Sequence, residues 1–490
     1  MIDEELQRMK YHLVTLGCQM NKSDSERIAT VIGQMGYRWT DHEEDADLIG
    51  IVACSVRQKA IDKVYTRIHK WNGWKNKKNL ISFVTGCILP TDREKFLKLF
   101  DLVFQISELP QLPEMIRQYG IMTPFATISE KGSESAESKS ITPDFQTLIY
   151  DSHITIAGQP LLMKKPETRI SGFWDIQPHY ASGFEAFIPI QNGCDKFCTF
   201  CAVPYTRGRE ISRPGSEILE ELEHLVKKGY KSITLLGQNV NSYGFDKKGG
   251  EITFTELLER IGKLGNNSGK KFWVYFTSPH PRDMGDEVLK VMSRYECLAK
   301  QIHLPLQSGD NKVLIKMNRN HSMNDYRKII ASVRKFLPTA TIFTDIIVGF
   351  TGESHEQFMN TRAAMEEIRF NMAYIARYSP RPGAASSRWD DDVPHETKKE
   401  RLHNLSELLQ QHSLEHNRQM IGKTYTVLVT GKDRKTGLLS GLTEGRIIVR
   451  ILSKSDKLIG EFVDVSITSA ADFATEGELV RVYNEALSEA

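Results

Sequence analysis

The chain has 490 residues, of which 40% are hydrophobic and 26% are charged, and its formal net charge is +2. These values are typical of a soluble globular protein with two to four domains. No apolar run approaches the about eighteen residues of a membrane-spanning helix, and the N-terminus lacks the layout of a signal peptide. We therefore expect a cytoplasmic protein with no membrane partner, and any nucleic acid must bind to local charged patches.

The cysteines give the first indication of chemistry. An odd number of them in a large cytosolic chain argues against a disulfide framework and favours metal or redox chemistry. The seven are Cys18, Cys54, Cys87, Cys194, Cys198, Cys201 and Cys297.

Three of these cysteines end short apolar runs in the first ninety residues, at 11–18, 48–54 and 80–87. Such runs predict buried parallel strands, and the helix-like stretch at 23–35 between two of them predicts an open, doubly wound α/β domain over 8–121. The carboxyl ends of parallel strands lie along one edge, so the three thiols can meet there. The residues alone leave buried structural cysteines as an alternative.

The segment 122–182 interrupts this pattern. Its stretch 131–140 is polar and of low complexity, which predicts a flexible linker. We expect the whole segment to be an insertion that connects two domains.

Alternating strand and helix patterns return over 183–420 and predict a partial (β/α)6 barrel. Helical patterns cover 216–228, 254–264, 323–336 and 354–368. The predicted strands are 185–190, 232–236, 272–277, 301–306, 341–348 and 372–378. The working face of such a barrel is formed by the loops that follow the strands.

The last part of the chain predicts a small β-barrel over 421–486. Short alternating runs at 423–429, 447–451 and 461–467 are separated by turn residues. A polar, helix-compatible stretch at 396–420 precedes them.

Cys194, Cys198 and Cys201 form a C-x3-C-x2-C run in the loop after the first barrel strand. A structural zinc site usually has four ligands, and no fourth Cys or His lies nearby in the sequence. Three thiolates suit a 4Fe–4S cluster with one open iron, which can chelate S-adenosylmethionine (SAM) for reductive cleavage to a radical.

Several separate motifs resemble those of the radical-SAM methylthiotransferase family. They are TLGCQMNKSDS (15–25), GCDKFCTFCAVPYTRGR (193–209), LGQNVN (236–241), HLPLQSG (303–309) and TDIIVG (344–349). The resemblance covers nearly the whole chain except 122–182. It implies a second 4Fe–4S cluster on Cys18, Cys54 and Cys87, and it identifies the last sixty residues as similar to the family's RNA-binding TRAM domain.

The resemblance also implies a reaction, in which SAM serves both as methyl donor and as radical source and sulfur comes from the N-terminal cluster. The segment CSVRQKA (54–60) is similar to the branch that modifies N6-isopentenyladenosine beside the tRNA anticodon. Three alternatives remain: threonylcarbamoyl-adenosine as substrate, a ribosomal-protein aspartate, and an RNA-binding module with structural clusters. We expect a monomer, a tRNA anticodon stem-loop as partner, flavodoxin or ferredoxin as electron donor, and two clusters that face one cavity.

Further candidates follow the strands and the cluster loop. Arg207, Gln238, Asn239, Gln307 and Ser308 are predicted to bind SAM or substrate, because residues at strand ends line the working face. Arg209 and Arg213 suit a carboxylate, an RNA phosphate or a structural salt bridge. Asp345 is either a functional residue or a hydrogen-bonded polar residue of the core. Cys297 is expected to be a buried cysteine that only contributes to packing.

Two basic clusters are candidate RNA contacts. The first has two interleaved tryptophans and is equally compatible with a solvated helix face. It comprises Lys63, Arg67, Lys70, Trp71, Trp74, Lys75, Lys77 and Lys78. The second, in the C-terminal module, comprises Lys432, Arg434, Lys435, Arg446 and Arg450.

Overall fold

The computed structural model describes residues 9–55, 58–118, 171–247, 249–433 and 436–484. They form two compact units. One comprises the described residues up to Ala181 together with Tyr205–Arg207, and the other comprises Ser182–Pro204 and the described residues from Gly208 onward. Most of the predicted insertion 122–182, together with Arg434 and Lys435, lies outside the described residues. None of the described helices is long and apolar enough to cross a membrane.

The first unit contains a five-stranded sheet with every pairing parallel and the order β2-β1-β3-β4-β5. Its strands are β1 (Lys10–Thr15), β2 (Arg38–Trp39), β3 (Leu48–Cys54), β4 (Ile81–Cys87) and β5 (Leu102–Val103). Its helices are Gln19–Gln34, Gln58–Lys75, Pro90–Phe96, Leu112–Gln118 and Ser171–Trp174. The sheet confirms the predicted α/β fold of this part.

Apolar side chains fix the helices to this sheet. Every residue of β3 and β4 is buried, as expected for strands covered on both faces. Ile49 and Ile51 of β3 pack with Val64, Ile68 and Trp71 of the helix Gln58–Lys75. The helix Gln19–Gln34 packs against β1, β3 and β4.

The second unit contains the predicted partial barrel. Its strands are β6 (Glu185–Pro189), β7 (Gln191–Asn192), β8 (Ile211–Ser212), β9 (Ser232–Leu236), β10 (Trp273–Phe276), β11 (Gln301–His303), β12 (Thr341–Val348) and β13 (Met372–Arg377). Six of these strands pair in parallel as β6-β9-β10 and β11-β12-β13, while β7 and β8 form a small antiparallel pair. A parallel bridge between Val274 and Leu298 joins the two halves.

Helices connect these strands, and four of them begin at side-chain caps. They are Val203–Arg207, Gly215–Lys227, Phe254–Ser268, Asp286–Arg294, Asn311–Lys316, Met323–Phe336 and His355–Ile368. Thr253, Ser322 and Ser354 each form a capping box with the residue three positions on. This reciprocal bonding satisfies amide groups that a helix start leaves without partners.

The C-terminal part of this unit is a closed five-stranded barrel in the order β14-β15-β16-β18-β17. Its strands are β14 (Thr424–Lys432), β15 (Leu439–Thr443), β16 (Ile448–Ile451), β17 (Phe462–Ala470) and β18 (Ala474–Val482), and the helix His395–Arg418 leads into it. The small barrel confirms the predicted fold, although the sequence analysis indicated only three of its strands.

A turn of the small barrel closes the amino end of the partial barrel. This plug turn comprises Glu444–Ile447 between β15 and β16. The carboxylate of Glu444 accepts a hydrogen bond from the Lys300 amide at 2.9 Å, and the Thr341 hydroxyl donates to the Gly445 carbonyl at 2.7 Å. The Arg446 guanidinium donates to the Thr234 hydroxyl at 3.0 Å, with its central carbon 4.0 Å from the centre of the Tyr275 ring.

These contacts do not support the prediction that Arg446 belongs to an RNA-binding cluster, because its guanidinium faces the central strands. Lys432 and Arg450 of the same predicted cluster are also engaged within the barrel. Lys432 pairs with Asp456 at 2.7 Å, and Arg450 pairs with Asp433 at 3.1 Å.

We expect Arg446→Lys to destabilise the protein by about 1–2 kcal/mol, because lysine retains the charge but loses the flat guanidinium that stacks and hydrogen-bonds. Chemical denaturation measures the loss, and hydrogen exchange should show faster opening of β15 and β16. The matched control is Arg481→Lys, an exposed arginine on the same barrel. Equal stability of the two variants would contradict the role assigned to the plug turn.

Candidate functional site

The first candidate site lies at the carboxyl edge of the N-terminal sheet. Cys54 and Cys87 are the last residues of neighbouring strands and stand opposite each other in the β3–β4 register. Cys18 follows β1, next to Gly17, whose φ is +118°. A side chain on Gly17 would begin 2.7 Å from Cys54 Cβ and 3.3 Å from its sulfur, so only glycine allows this approach. The structure thus brings the three predicted thiols together.

Asn21 and Arg207 hold this group of thiols. The Asn21 Oδ1 lies 3.6 Å from Cys87 Sγ and 3.9 Å from Cys18 Sγ, while its Nδ2 donates to the Ala53 carbonyl at 2.8 Å. The Arg207 Nε donates to Cys87 Sγ at 2.9 Å, and its Nη2 pairs with Asp24 at 2.5 Å. Arg207 was predicted to bind SAM or substrate, and in this structure its guanidinium bonds to Cys87, Asn21 and Asp24.

The electrostatics of these thiols fit a metal cluster. Burial raises the pKa of Cys87 to about 12, although the charge of Arg207 acts in the opposite direction. A bound metal ion would add a larger cationic charge than Arg207 alone, and coordination to a metal deprotonates a thiol. Three cysteines gathered at one sheet edge suit an iron–sulfur cluster with three thiolate ligands.

The second group, Cys194, Cys198 and Cys201, lies in the loop that follows β6 and β7. Another loop holds it in place. The Asn318 side chain donates to the Lys196 and Phe197 carbonyls at 3.1 and 3.0 Å, and the Thr199 amide donates to the Met317 carbonyl at 3.1 Å. The Arg319 Nη1 lies 3.5 Å from Cys198 Sγ. Asn318 and Arg319 were not predicted from the sequence, because nothing in their local pattern places them beside the loop.

Burial also raises the pKa of Cys194 to about 11 and that of Cys201 to about 12. No group of three or more Cys, His, Asp or Glu among the described residues has the geometry of a single-ion site. A four-iron cluster is larger than one ion and requires wider ligand spacing. The donor chemistry again fits an iron–sulfur cluster with three thiolates.

A buried polar network links this loop to the ends of β9 and β10. Lys196 of the loop pairs with Asp283 at 2.5 Å, and Asp283 accepts from Asn239 Nδ2 at 3.1 Å. The Ser242 hydroxyl donates to Glu210 at 2.6 Å, and burial raises the pKa of Glu210 to about 7. Asn239, a predicted ligand, therefore also orders the loops of the working face.

The other predicted ligands occupy the same barrel edge. Gln238 is partly exposed after β9, whereas Ser308 is fully buried 3.3 Å from the Thr361 hydroxyl. Gln307 has a φ of +73°, and its amide and carbonyl are both bonded to the backbone of β12. A left-handed glutamine costs about 1–3 kcal/mol, so surrounding contacts must impose this conformation.

Two further arginines that were candidate ligands form salt bridges within the protein. Arg213 is buried and pairs with Glu217 and Glu221, and Arg209 pairs with Asp195 at 3.0 Å. Cys297 is buried, as predicted.

The basic helix Gln58–Lys75 behaves similarly. Arg67 and Lys70 pair with Glu43, which also accepts from the buried Trp71 indole, and Lys75 pairs with Asp101. The interpretation as a structural helix face therefore accounts for these four of the eight residues of the cluster.

Comparison with known proteins gives the family. The sequence profile of the Radical SAM superfamily matches residues 188–365, that of the Uncharacterized protein family UPF0004 matches residues 10–106, and that of the TRAM domain matches residues 418–480. The chain is 35% identical to the tRNA-2-methylthio-N(6)-dimethylallyladenosine synthase of Actinobacillus pleuropneumoniae serotype 5b (strain L20), over 97% of this chain and 93% of the relative. It is 36% identical to the Parabacteroides distasonis protein of the same name, over 96% and 95% of the two chains.

Among solved structures, the radical S-adenosylmethionine methyltransferase TsrM from Kitasatospora setae is similar at a TM-score of 0.48 and 11% identity, covering 92% of this chain and 83% of that one. A likeness at this level supports no inference about function.

The matched profiles and the fold define an enzyme of the radical-SAM superfamily. At this identity over nearly its full length, the chain belongs to the family of the tRNA-2-methylthio-N(6)-dimethylallyladenosine synthases. Enzymes of this family use SAM and two 4Fe–4S clusters. The resemblance stated from the sequence motifs is thereby confirmed.

The thiol group of the N-terminal sheet depends on a backbone that only glycine can adopt. Gly86 has a φ of +103°, and a Cβ there would lie 2.6 Å from the Ala53 carbonyl oxygen, which cannot move freely. We expect Gly86→Ala to destabilise the unit by more than about 2 kcal/mol in chemical denaturation. In the control Gly33→Ala, no atom lies within 4 Å of the new methyl group. The higher helix propensity of alanine should there stabilise the protein by about 0.5–1 kcal/mol. Equal effects of the two changes would contradict this account.

Proposed function

We propose that this enzyme inserts a methylthio group at carbon 2 of N6-isopentenyladenosine next to the tRNA anticodon, with SAM as methyl donor and radical source. The observation that carries the proposal is the near full-length similarity to relatives named for this product. We further propose that the chain acts as a cytoplasmic monomer, with flavodoxin or ferredoxin as electron donor. The proposed domains are 8–121, the insertion 122–182, the radical-SAM barrel 183–420 and the TRAM-like module 421–486.

Six cysteines are the proposed iron ligands. Cys194, Cys198 and Cys201 are assigned to the cluster that binds SAM, and Cys18, Cys54 and Cys87 to the auxiliary cluster. When bound, the SAM cluster would supply the electron that cleaves SAM, and the auxiliary cluster would supply the sulfur.

The residues around each group hold and orient it. Asn21 and Arg207 fix the auxiliary thiols, and their polar atoms compensate negative charge on the thiolates. Arg319 does the same beside Cys198. Gln238, Asn239, Gln307 and Ser308 are the proposed ligands of SAM or substrate, since they follow β9 and β11 on the working face.

The assignment predicts the iron content of cysteine variants. Anaerobically reconstituted protein should hold about eight irons, and replacing Cys18, Cys54 and Cys87 together by alanine should leave about four. This triple variant should still cleave SAM to 5′-deoxyadenosine after reduction, but it should form no methylthio product. The corresponding change at Cys194, Cys198 and Cys201 should abolish SAM cleavage.

Cys297→Ser is the matched control, because Cys297 lies outside both groups. It should retain about eight irons and full activity. Mass spectrometry of nucleosides from an anticodon stem-loop measures the product. Sulfur insertion by the first triple variant, or product formation only on threonylcarbamoyl-adenosine, would refute the proposal.

A further inference from the structure

The interior face of the partial barrel can be identified from its contacts with the plug turn. Thr341 opens β12 and bonds to Gly445, while Arg446 of the same turn contacts Thr234 on β9 and Tyr275 on β10. One turn reaches all three strands only from the barrel axis. Side chains alternate along a strand, so Asp345, four residues after Thr341, faces the same interior.

Three polar or aromatic side chains meet on this interior face. The His303 Nε2 lies 2.8 Å from Asp345 Oδ2, and the rings of His303 and Tyr374 have their centres 5.6 Å apart. Asp345 and Tyr374 are direct register partners of β12 and β13. His303, Asp345 and Tyr374 together form the lumen cluster.

The lumen cluster is accessible at the working end of the barrel. Tyr374 lies on β13, the edge strand of its sheet, and is 56% exposed, while the Asp345 side chain is 35% exposed. At about 3.3 Å per residue, Asp345 lies roughly 13 Å beyond the start of β12. His303 is the last residue of β11, and Gln307 bridges to Ile346 just beyond it. The cluster therefore lies between the plug turn and the loops of the working face.

The chemistry of the cluster suits a flat heteroaromatic ring. Phe343 and Ile347 occupy alternate positions on the same face of β12 and provide apolar surroundings. The Tyr374 ring offers an exposed surface for stacking. With Nε2 engaged by Asp345, the His303 Nδ1 has no hydrogen-bond partner among the described residues, so it can meet the polar edge of a base. A carboxylate behind an imidazole fixes the orientation of that ring.

We propose that His303 and Tyr374 form the subsite for the purine ring of the substrate nucleotide, with Asp345 as a positioning residue that acts through His303. Tyr374 stacks on the base, and His303 bonds to its edge. This inference rests on the proposed function, because it takes the substrate to be an adenosine in RNA. SAM also carries an adenine ring, so the test separates the two sources.

The test compares binding of two anticodon stem-loops to the anaerobically reconstituted enzyme. They are identical except that one carries N6-isopentenyladenosine beside the anticodon and the other has an abasic nucleotide there. Stacking and edge contacts should give the wild type about a tenfold preference for the base-containing RNA. The preference should fall to about twofold or less in His303→Ala and Tyr374→Ala.

Two conservative variants distinguish a direct contact with the base from an effect on the folding of the barrel. Tyr374→Phe retains the stacking ring and should keep most of the preference. Asp345→Asn retains the shape but alters the hydrogen bond to His303, and it should reduce the preference without changing affinity for the abasic RNA. Unaltered preference in both alanine variants, with all proteins folded by thermal denaturation, would overturn the proposal.

Equilibrium binding of SAM, and its cleavage without RNA, provide the second arm. Both should stay within about twofold of the wild type in every lumen-cluster variant. If SAM affinity falls while RNA preference persists, the ring in the subsite belongs to SAM and the proposal is wrong. A wild type that prefers the base-containing RNA but forms no methylthio product would refute the proposed function and leave the subsite intact.

Discussion

The parallel arrangement of the strands is the constraint on which the N-terminal thiol group depends. Cys18, Cys54 and Cys87 are separated by more than thirty residues along the chain, yet each follows or ends a strand of one sheet. Parallel strands end at a common edge, so the sheet itself brings the sulfurs together. The cost is backbone strain and close contact at that edge, which Gly17 and Gly86 accommodate with positive φ angles. The central loop needs no such assembly, because its three thiols lie within eight residues.

The sequence predicted the features that depend on local pattern. The continuous apolar runs that became β3 and β4, and the helical patterns at 323–336 and 354–368, carry their signal in adjacent residues. The strands β15 and β18 were missed because their sequences, LSGLT and ATEGELVRV, contain few apolar residues. Closure of a barrel, rather than alternating hydrophobicity, makes them strands.

Tertiary partners were the second thing the sequence did not reveal. Arg207 was predicted from its nearness in sequence to the cluster loop, but its guanidinium pairs with Asp24, 183 residues away along the chain. Arg446 was predicted to bind RNA because its neighbours are basic, but its guanidinium contacts Thr234 and Tyr275. An arginine has five donors in a planar fork, so a buried partner of matching geometry determines its role. Local sequence does not identify that partner.

Many basic residues of the two candidate RNA-binding clusters form ion pairs within the protein. A basic side chain that already pairs with a carboxylate offers less net charge to an RNA phosphate than an unpaired one. Arg67, Lys70 and Lys75 have carboxylate partners in the first unit, and Lys432 and Arg450 have them in the small barrel. With a formal net charge of only +2, these clusters contribute less to a sequence-independent attraction than their composition indicates. Stacking of an unpaired base on an exposed aromatic ring is a contact with RNA that needs no net charge.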